Sequence, residues 1–268
     1  MSSTVVITGA SGNIGTKLRG HFGALGWQLR LLDAAPAPAV TMADLSRYDE
    51  SWAGQFAGAD AVIHLAGDPS PRASWASVQR LNIDMTLNVV RAAQAHGARR
   101  VVFASSNWVM AGYRFGSERL TAGLPPHPLN PYGVSKLMGE RIGQAAAAEG
   151  LSFIAFRIGW CQRGENRPGP HMSQGRWGQE MWVSDRDICQ AMERAVLAEG
   201  IGFAVLNLMS DNPGMRWDID ATRQAIGYAP RDGHTAVTTP QILRDEAIAA
   251  RSRALAADLE TQVMESGW

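Results

Sequence analysis

Thr4-Val-Val-Ile-Thr8-Gly9-Ala-Ser-Gly12-Asn-Ile-Gly15 is the segment that most clearly indicates the fold class. Its first five residues are a short β-branched run, which predicts a buried strand. The glycines that follow lead into a predicted helix near residues 13–24. A strand joined to a helix by a tight glycine turn lets backbone N–H groups and the helix N-terminus meet a pyrophosphate. Taken alone, the glycines would also fit a plain strand–helix turn.

An acidic residue strengthens the dinucleotide interpretation. Residues 28–33 predict a second strand that ends in Asp33, about 20 residues beyond the glycine loop, where an acid accepts hydrogen bonds from the adenosine ribose hydroxyls. A carboxylate there repels the 2′-phosphate of NADP, so NAD is the expected cofactor. A solvated loop acid is the alternative for Asp33.

The remaining pattern alternates strands with helices. Further strands are predicted at 61–65, 100–105, 152–158 and 204–208, and helices at about 78–96, 131–149, 218–226 and 241–259. Such alternation is typical of an α/β protein, here a Rossmann doubly wound parallel sheet.

The character of the chain changes after Gly159. Residues 161–180 are rich in Gly, Pro, Arg and His without clear periodicity, which predicts a long irregular segment over the carboxyl edge of the sheet. We therefore expect an NAD-binding domain at 1–159. Residues 160–268 would form a small, discontinuous C-terminal lobe, mainly for the substrate, with part of it completing the sheet.

Composition excludes several classes of function. Lys+Arg and Asp+Glu both number 25, which argues against nucleic-acid binding because that requires a cationic surface. No run of about 18 apolar residues predicts a membrane span, and the first residues lack the features of a signal peptide. Cys161 and Cys189 make neither a disulfide framework nor a metal site. We expect a cytoplasmic protein without a metal.

Tyr132 and Lys136 are the most informative pair for chemistry. They are four residues apart in a predicted helix, so they lie on the same face one turn apart. A nearby ammonium favours the phenolate and is expected to lower the pKa of the tyrosine. The pair then acts as a proton acceptor for an alcohol. Ser106, in a Ser-Ser-Asn turn about 25 residues upstream, would hydrogen-bond the reacting oxygen.

Together these motifs resemble the extended short-chain dehydrogenase/reductase family, also known as the NAD-dependent epimerase/dehydratase family, over residues 1–190. The resemblance is carried by the glycine loop, Asp33, Asp44-Leu45, His64-Leu-Ala-Gly67, Asn82, Ser105-Ser106, Tyr132-x-x-x-Lys136 and Arg157. More narrowly, Phe103-Ala-Ser-Ser-Asn107 and Arg157-Ile-Gly159 resemble uronate dehydrogenases and related NAD-dependent sugar dehydrogenases. The resemblance implies that Tyr132 is the base and that Lys136 holds the nicotinamide ribose. It implies a cofactor site of Gly9, Ser11, Gly12, Asn13, Ile14, Asp33, Asp44, Leu45, Leu65, Ala66, Gly67, Asn82, Tyr132, Lys136 and Ile158.

Two residues of that set keep open alternatives. Asp44 could hydrogen-bond the adenine amino group, or it could cap a helix. Asn82 is polar within the apolar stripe of its helix, so it needs buried partners. It either ties the strand ends together or braces the lysine through water.

The chain departs from uronate dehydrogenases around the substrate. Asn107, Trp108 and Trp160 are expected at the substrate pocket, although each tryptophan would equally fit core or interface packing. The arginine that clamps the sugar carboxylate in those enzymes has no clear counterpart. Arg163, Arg167, His171 and Arg176 are possible substitutes, and we expect Arg176, since it is nearest to Trp182-x-Ser184.

Three functions remain open on sequence alone. The first is NAD-dependent oxidation of a hydroxyl, with C1 of a sugar, sugar acid or sugar phosphate as the expected position, to a lactone or ketone. The second is a sugar-nucleotide epimerase or dehydratase with tightly bound NAD. The third is a non-catalytic NAD-binding regulator. By resemblance we also expect a homo-oligomer, with the helices near 78–96 and 131–149 as candidate faces.

Overall fold

A single parallel sheet forms the centre of the protein. The structure, a computed structural model, describes the backbone of residues 2–265 and the side chains of this range except at 256, 257 and 259–265. Residues 1 and 266–268, the outer ends of the two predicted units, lie outside it. The strands are β1 Thr4–Thr8, β2 Gln28–Asp33, β3 Val40–Met42, β4 Ala61–His64, β5 Arg100–Ser106, β6 Ser152–Ile158 and β7 Phe203–Leu208. Their spatial order is β3-β2-β1-β4-β5-β6-β7.

Helices cover both faces of this sheet. They are α1 Asn13–Ala24, α2 Glu50–Ala53, α3 Trp75–Val78, α4 Met85–Ala95, α5 Pro131–Ala148, α6 Gly175–Glu180, α7 Asp185–Leu197, α8 Asp220–Ile226 and α9 Pro240–Glu265, with a π-helical turn at Gln79–Asp84 and 3₁₀ turns at Gly54–Phe56 and Asn107–Tyr113. Alternate strand residues face opposite layers, so Val5 and Ile7 pack with Leu18 of α1. Val6 packs with Val89 of α4 on the other side. The predicted doubly wound α/β fold is confirmed.

Two glycines bring α5 close to the sheet. A Cβ on Gly139 would lie 2.3 Å from Cζ of Phe103, and a Cβ on Gly143 would lie 2.1 Å from Cε1 of Phe153. Both glycines therefore have a packing reason, because any larger residue would push the helix away from β5 and β6. This close approach fixes the height of Tyr132 and Lys136 above the strand ends.

The structure corrects the sequence-based boundaries at two places. The short edge strand β3, which pairs with β2 at Leu31 and Val40, was not predicted. The prediction of an irregular segment through residue 180 is wrong for residues 175–180, which form α6. Packing explains this helix, because Trp177 is buried against Trp217. In the second predicted unit, β7 extends the sheet beside β6; the division at residue 159 itself stays a prediction.

Neither a membrane span nor a metal cluster is found in the described residues. Within residues 2–265, no helix is long and apolar enough to cross a membrane. No group of His, Cys, Asp and Glu in the described part of the chain is arranged to hold a metal ion.

Candidate active site

One large cavity lies at the carboxyl edge of the sheet. Its volume is about 1070 Å³, and it opens around β1 and β4, where the strand order changes direction. Open α/β sheets bind their ligands at this position. The cavity is lined by these predicted site residues: Gly9, Ser11, Gly12, Asn13, Ile14, Asp33, Asp44, Leu45, Leu65, Ala66, Gly67, Ser106, Asn107, Trp108, Tyr132, Lys136, Ile158 and Trp160. Asn82 and Arg176 do not line it.

The glycine loop forms one end of the cavity. Gly9 has a φ of +70°, and a Cβ there would lie 2.7 Å from the backbone nitrogen of Ala66. A Cβ on Gly15 would lie 2.3 Å from the carbonyl oxygen of Gly9. The hydroxyl of Ser11 is buried and has no hydrogen-bond partner among the described residues. A tight backbone turn with a spare hydroxyl before a helix N-terminus suits a pyrophosphate.

Asp33 and Asp44 stand at the adenosine end. The Asp33 carboxylate closes β2 and accepts hydrogen bonds from the backbone N–H groups of Ser11, at 2.8 Å, and Ala35, at 3.0 Å. Asp44 accepts from the backbone N–H and hydroxyl of Ser46, and these bonds lower the pKa of its carboxyl. The alternative of Asp44 as a helix cap is wrong, because α2 begins at Glu50 and Asp49 caps it.

Asn82 links two walls of the site from behind. Its Oδ1 accepts from the backbone N–H of Asp68 at 2.7 Å, and its Nδ2 donates to the Ser135 hydroxyl at 2.9 Å. Asn82 is buried and takes no part in the cavity lining. Asn82 thereby ties the loop after β4 to the catalytic helix. The two roles considered from the sequence, a link between strand ends and a brace on the lysine through water, stay predictions.

Ser106, Tyr132 and Lys136 meet on one wall of the cavity. Tyr132 lies in the first turn of α5, whose N-cap is Asn130. Oδ1 of Asn130 accepts a hydrogen bond from the backbone N–H of Gly133. All three catalytic candidates are less than 10% exposed: Ser106 5%, Tyr132 9% and Lys136 6%. The Lys136 ammonium lies 5.8 Å from the centroid of the Tyr132 ring and 5.1 Å from that of Phe103.

Burial dominates the electrostatics of this pair. It raises the pKa of Tyr132, while interaction with the Ser106 hydroxyl lowers it and the Asp68 carboxylate raises it further. Burial also lowers the pKa of Lys136 to about 8. The expected lowering of the tyrosine pKa is therefore not found in this structure, because loss of hydration outweighs the effect of the Ser106 hydroxyl.

The other end of the cavity is lined by aromatic and uncharged polar groups with one cation. Trp108, Trp160, Gln162, Arg163, Ser173 and Gln174 form this end. The Arg163 side chain is exposed and makes no ion pair within the described residues. Arg176, the predicted anion ligand, instead pairs with Glu180 at 2.5 Å. The structure does not bring Arg176 to the cavity, because α6 directs it along its own surface.

Sequence reasoning missed Gln174. It has a φ of +68° although it is not a glycine, and it lines the cavity directly before α6. Such backbone conformations are costly and are concentrated at functional sites. Nothing in the sequence marks this residue, since a left-handed glutamine has no local signature.

Comparison with known proteins places the fold and the site in a family. The family model for the NAD dependent epimerase/dehydratase family matches residues 5–162. The chain belongs to this family. It is an NAD-dependent dehydrogenase of the extended short-chain dehydrogenase/reductase type, as the sequence predicted.

Curated relatives agree over most of the chain. An NAD-dependent glucose-6-phosphate dehydrogenase from Haloferax volcanii is 33% identical, covering 92% of this chain and 100% of that protein. An L-arabinose 1-dehydrogenase (NAD(P)(+)) from the same organism is 33% identical, covering 87% and 98%. A uronate dehydrogenase from Pseudomonas putida is 33% identical, covering 85% and 84%.

Solved structures agree with these sequences. A uronate dehydrogenase from Agrobacterium tumefaciens in complex with NAD is 27% identical, with a TM-score of 0.75 over 90% of this chain and 92% of that one. A glucuronic acid dehydrogenase from Chromohalobacter salexigens is 28% identical, with a TM-score of 0.76 over 87% and 86%. Both similarities extend beyond the glycine loop to nearly the whole chain.

Proposed function

We propose that this enzyme uses NAD to oxidise the C1 hydroxyl of a cyclic sugar, sugar acid or sugar phosphate to a lactone. The observation that carries the proposal is the meeting of Ser106, Tyr132 and Lys136 on the wall of a cavity whose far end is a dinucleotide cradle. The relatives named for uronate, glucose 6-phosphate and arabinose share a sugar hydroxyl as the group that reacts. Oxidation at another carbon, giving a ketone, is the variant that product analysis would reveal.

The chain's own groups fit NAD. The glycine loop and the unpartnered Ser11 hydroxyl would hold the pyrophosphate, and Asp33 would accept hydrogen bonds from the adenosine ribose. Asp44 would contact the adenine, and Lys136 would hold the nicotinamide ribose. When bound, the nicotinamide ring supplies the acceptor for a hydride. The remaining chemistry belongs to the protein.

Proton removal is the task of Tyr132. The sugar hydroxyl gives its proton to the phenolate oxygen while the hydrogen on C1 leaves with its electron pair, so C1 and its oxygen become a lactone carbonyl. Ser106 would donate a hydrogen bond to that oxygen and hold it within reach of the phenolate. Because burial raises the pKa of Tyr132, we expect kcat to increase as the pH is raised.

Arg163 replaces Arg176 in our proposal for an anionic substrate group. Its guanidinium is free of ion pairs in the described chain and lines the substrate end of the cavity, and guanidinium groups bind carboxylates and phosphates with paired hydrogen bonds. Asn107, with its Nδ2 donating to the carbonyl of Ile158 at 3.0 Å, would present its free oxygen to a sugar hydroxyl. Trp108 and Trp160 would offer ring faces to the sugar.

The epimerase alternative has weaker support. The epimerase from Escherichia coli O157:H7 named for N-acetyl-glucosaminyl diphospho-undecaprenol is 29% identical over only 53% of this chain and 43% of that protein. Such an enzyme would recycle its NAD internally. A non-catalytic regulator would have no need of the buried tyrosine, lysine and serine.

A cofactor-reduction screen tests the proposal. Purified protein is given NAD with aldoses, uronic acids and sugar phosphates, and NADH absorbance is followed for the wild type and for Tyr132→Phe, which keeps the ring but removes the proton acceptor. We expect NADH with at least one sugar and almost none with the variant. Tightly retained NAD without net NADH formation would favour the epimerase, and equal turnover by Tyr132→Phe would refute the mechanism.

Three further expectations stay proposals. We propose that residues 1–159 bind NAD, that residues 160–268 mainly bind substrate, and that the enzyme is cytoplasmic. We also propose a homo-oligomer through α4 and α5, where Leu87 and Met138 are exposed. Sedimentation at micromolar concentration tests the assembly, and a species of 28.9 kDa would reject it.

A further inference from the structure

A buried charged cluster lies directly behind the catalytic wall. Oε1 of Glu140 accepts a hydrogen bond from the Ser105 hydroxyl at 2.7 Å and from Nε of Arg157 at 2.9 Å. Oε2 of the same carboxylate accepts from Nη2 of Arg157 at 2.9 Å. Ser105 is 3% exposed, and Glu140 and Arg157 are each 2% exposed. Ser105 lines the cavity, whereas Glu140 and Arg157 do not.

The cluster joins the three elements that carry the reacting groups. Glu140 follows Tyr132 and Lys136 on α5 at four-residue spacing, so all three lie on one helix face. Ser105 immediately precedes Ser106, and it pairs with Arg157 in the register between β5 and β6. The strand residue before the catalytic serine is therefore bonded to the helix that holds the catalytic tyrosine.

Stability alone does not explain why charges occupy this position. A buried ion pair costs hydration and is often no more stabilising than apolar residues of the same volume. At Gly139 and Gly143, by contrast, α5 meets the sheet through apolar contacts, against Phe103 and Phe153. A directional contact at Glu140 does what apolar packing cannot, because its hydrogen bonds fix the distance and angle between helix and strand.

We propose that Glu140 and Arg157 are positioning residues for the reaction, acting through Ser105 to hold Ser106 at a fixed place relative to Tyr132. The proposal rests on the proposed function, in which Ser106 and Tyr132 share the reacting oxygen. It assigns no contact with the substrate to either residue.

Removing one charge at a time gives an electrostatic readout that is separate from stability, while kcat per folded enzyme reports the alignment of the reacting groups. Glu140 lies two helical turns, about 12 Å, from Tyr132. Glu140→Gln leaves the Arg157 cation uncompensated, which favours the phenolate, while Arg157→Met leaves the Glu140 anion, which disfavours it. The apparent pKa of the kcat profile should fall in the first variant and rise in the second, by roughly 0.5–1 pH unit each.

The surroundings of the phenol are the same in both variants. The other groups that act on Tyr132 are Ser106 and Asp68; Lys136 faces it from α5, and the buried His64 lies near that lysine. None of them is altered, so opposite shifts would report the removed charge. The double variant Glu140→Gln/Arg157→Met restores neutrality and should return the profile to that of the wild type. Its kcat should stay about 10- to 100-fold low, because the alignment remains lost.

Arg100 supplies the matched control. It is 1% exposed, lies at the amino end of β5, and donates to the Ser152 hydroxyl and to the carbonyls of Ala195 and Ala198. Arg100→Met removes an equally buried guanidinium from the opposite edge of the sheet. We expect it to lower Tm as Arg157→Met does, while kcat per folded enzyme and the pH profile stay unchanged.

The experiment measures kcat, the KM for NAD, Tm and the pH profile for these variants and for Ser105→Ala, which removes one hydroxyl and should fold in any case. We expect opposite pKa shifts in the two single variants, a KM for NAD within about threefold of the wild type, and a kcat at least about threefold lower in Ser105→Ala. Shifts of the same sign, or wild-type kcat in Ser105→Ala, would overturn the proposal. Phenolate absorbance, measured against the same variants carrying Tyr132→Phe, reads the shifts without turnover, so the result does not depend on finding the right sugar.

Discussion

Replacing Gly139 with alanine tests the contact that sets the catalytic helix on the sheet. The new Cβ would lie 2.3 Å from Cζ and 2.6 Å from Cε1 of Phe103. Carbon atoms pack at about 3.5–4.0 Å, so the ring or the helix must move by about 1 Å. The Lys136 ammonium lies 5.1 Å from the centroid of this same ring. A displacement at Gly139 therefore reaches the catalytic lysine.

Two opposing terms set the size of the effect. Overpacking of a tight core costs about 1–3 kcal/mol, while replacing glycine by alanine inside a helix gains about 0.5–1 kcal/mol. The net loss in the free energy of unfolding is roughly 0–2.5 kcal/mol, which lowers Tm by up to about 10 °C for a chain of this size. We expect kcat to fall about tenfold as well, because a shift near 1 Å disturbs the alignment of reacting groups.

Thermal unfolding and steady-state kinetics measure both effects, and two other glycine-to-alanine variants serve for comparison. Gly20 lies in α1, and beyond its own stretch of the helix no described heavy atom lies within 4 Å of the position that a Cβ would take there, so Gly20→Ala should raise Tm slightly and leave kcat unchanged. Gly143→Ala meets Phe153 at 2.1 Å, one turn further from Lys136, and should lower Tm with a smaller change in kcat. A Gly139→Ala variant with wild-type Tm and kcat would refute the reasoning.

Three further predictions address charge. Asp33→Ala should raise the KM for NAD and reduce the ratio of kcat/KM for NAD to that for NADP. Equal kcat/KM for both cofactors in the wild type would contradict the assignment of Asp33 to the adenosine ribose. The pKa of Lys136 is about 8 in the folded protein, against an ordinary value of 10.5. Between these two pH values the unfolded chain binds one more proton than the folded chain, so stability increases with pH. Lys136→Met should abolish activity, raise Tm at pH 7 and remove this increase of Tm with pH in thermal melts from pH 7 to 10. If the substrate is anionic, Arg163→Ala should raise the KM for that substrate at least about tenfold and leave the KM for neutral sugars unchanged. Arg176→Ala is the control and should change neither value. A higher KM in Arg176→Ala but not in Arg163→Ala would identify Arg176 as the anion ligand.

Features encoded in short stretches of sequence could be predicted. The glycine loop, Asp33 and the pair Tyr132 and Lys136 depend on spacing within one strand–turn–helix or one helix, and the structure brings all of them to the same cavity. The strand alternation was likewise enough to predict a doubly wound sheet, because each βα unit carries its own periodicity.

Features that depend on distant contacts could not be predicted. The sequence favours Arg176 because of its position along the chain, but in the structure it lies on α6, whose Trp177 packs against the distant Trp217. Within that helix, Glu180 lies four residues further on and pairs with Arg176. The raised pKa of Tyr132 could not be predicted, because the degree of burial follows from the whole fold. The ion pair between Glu140 and Arg157 forms only where α5 packs on β6, and the sequence around either residue does not indicate this contact.

Transfer of deuterium from C1 to the cofactor would show which sugar carbon the enzyme oxidises. The best sugar from the screen, deuterated at C1, is incubated with the wild-type enzyme and NAD, and the NADH and the sugar product are analysed by mass spectrometry and NMR. We expect one deuterium in the NADH, a lactone as the first product, and a loss of both when Tyr132 is replaced by phenylalanine. NADH without deuterium, or a product oxidised at another carbon, would contradict this expectation.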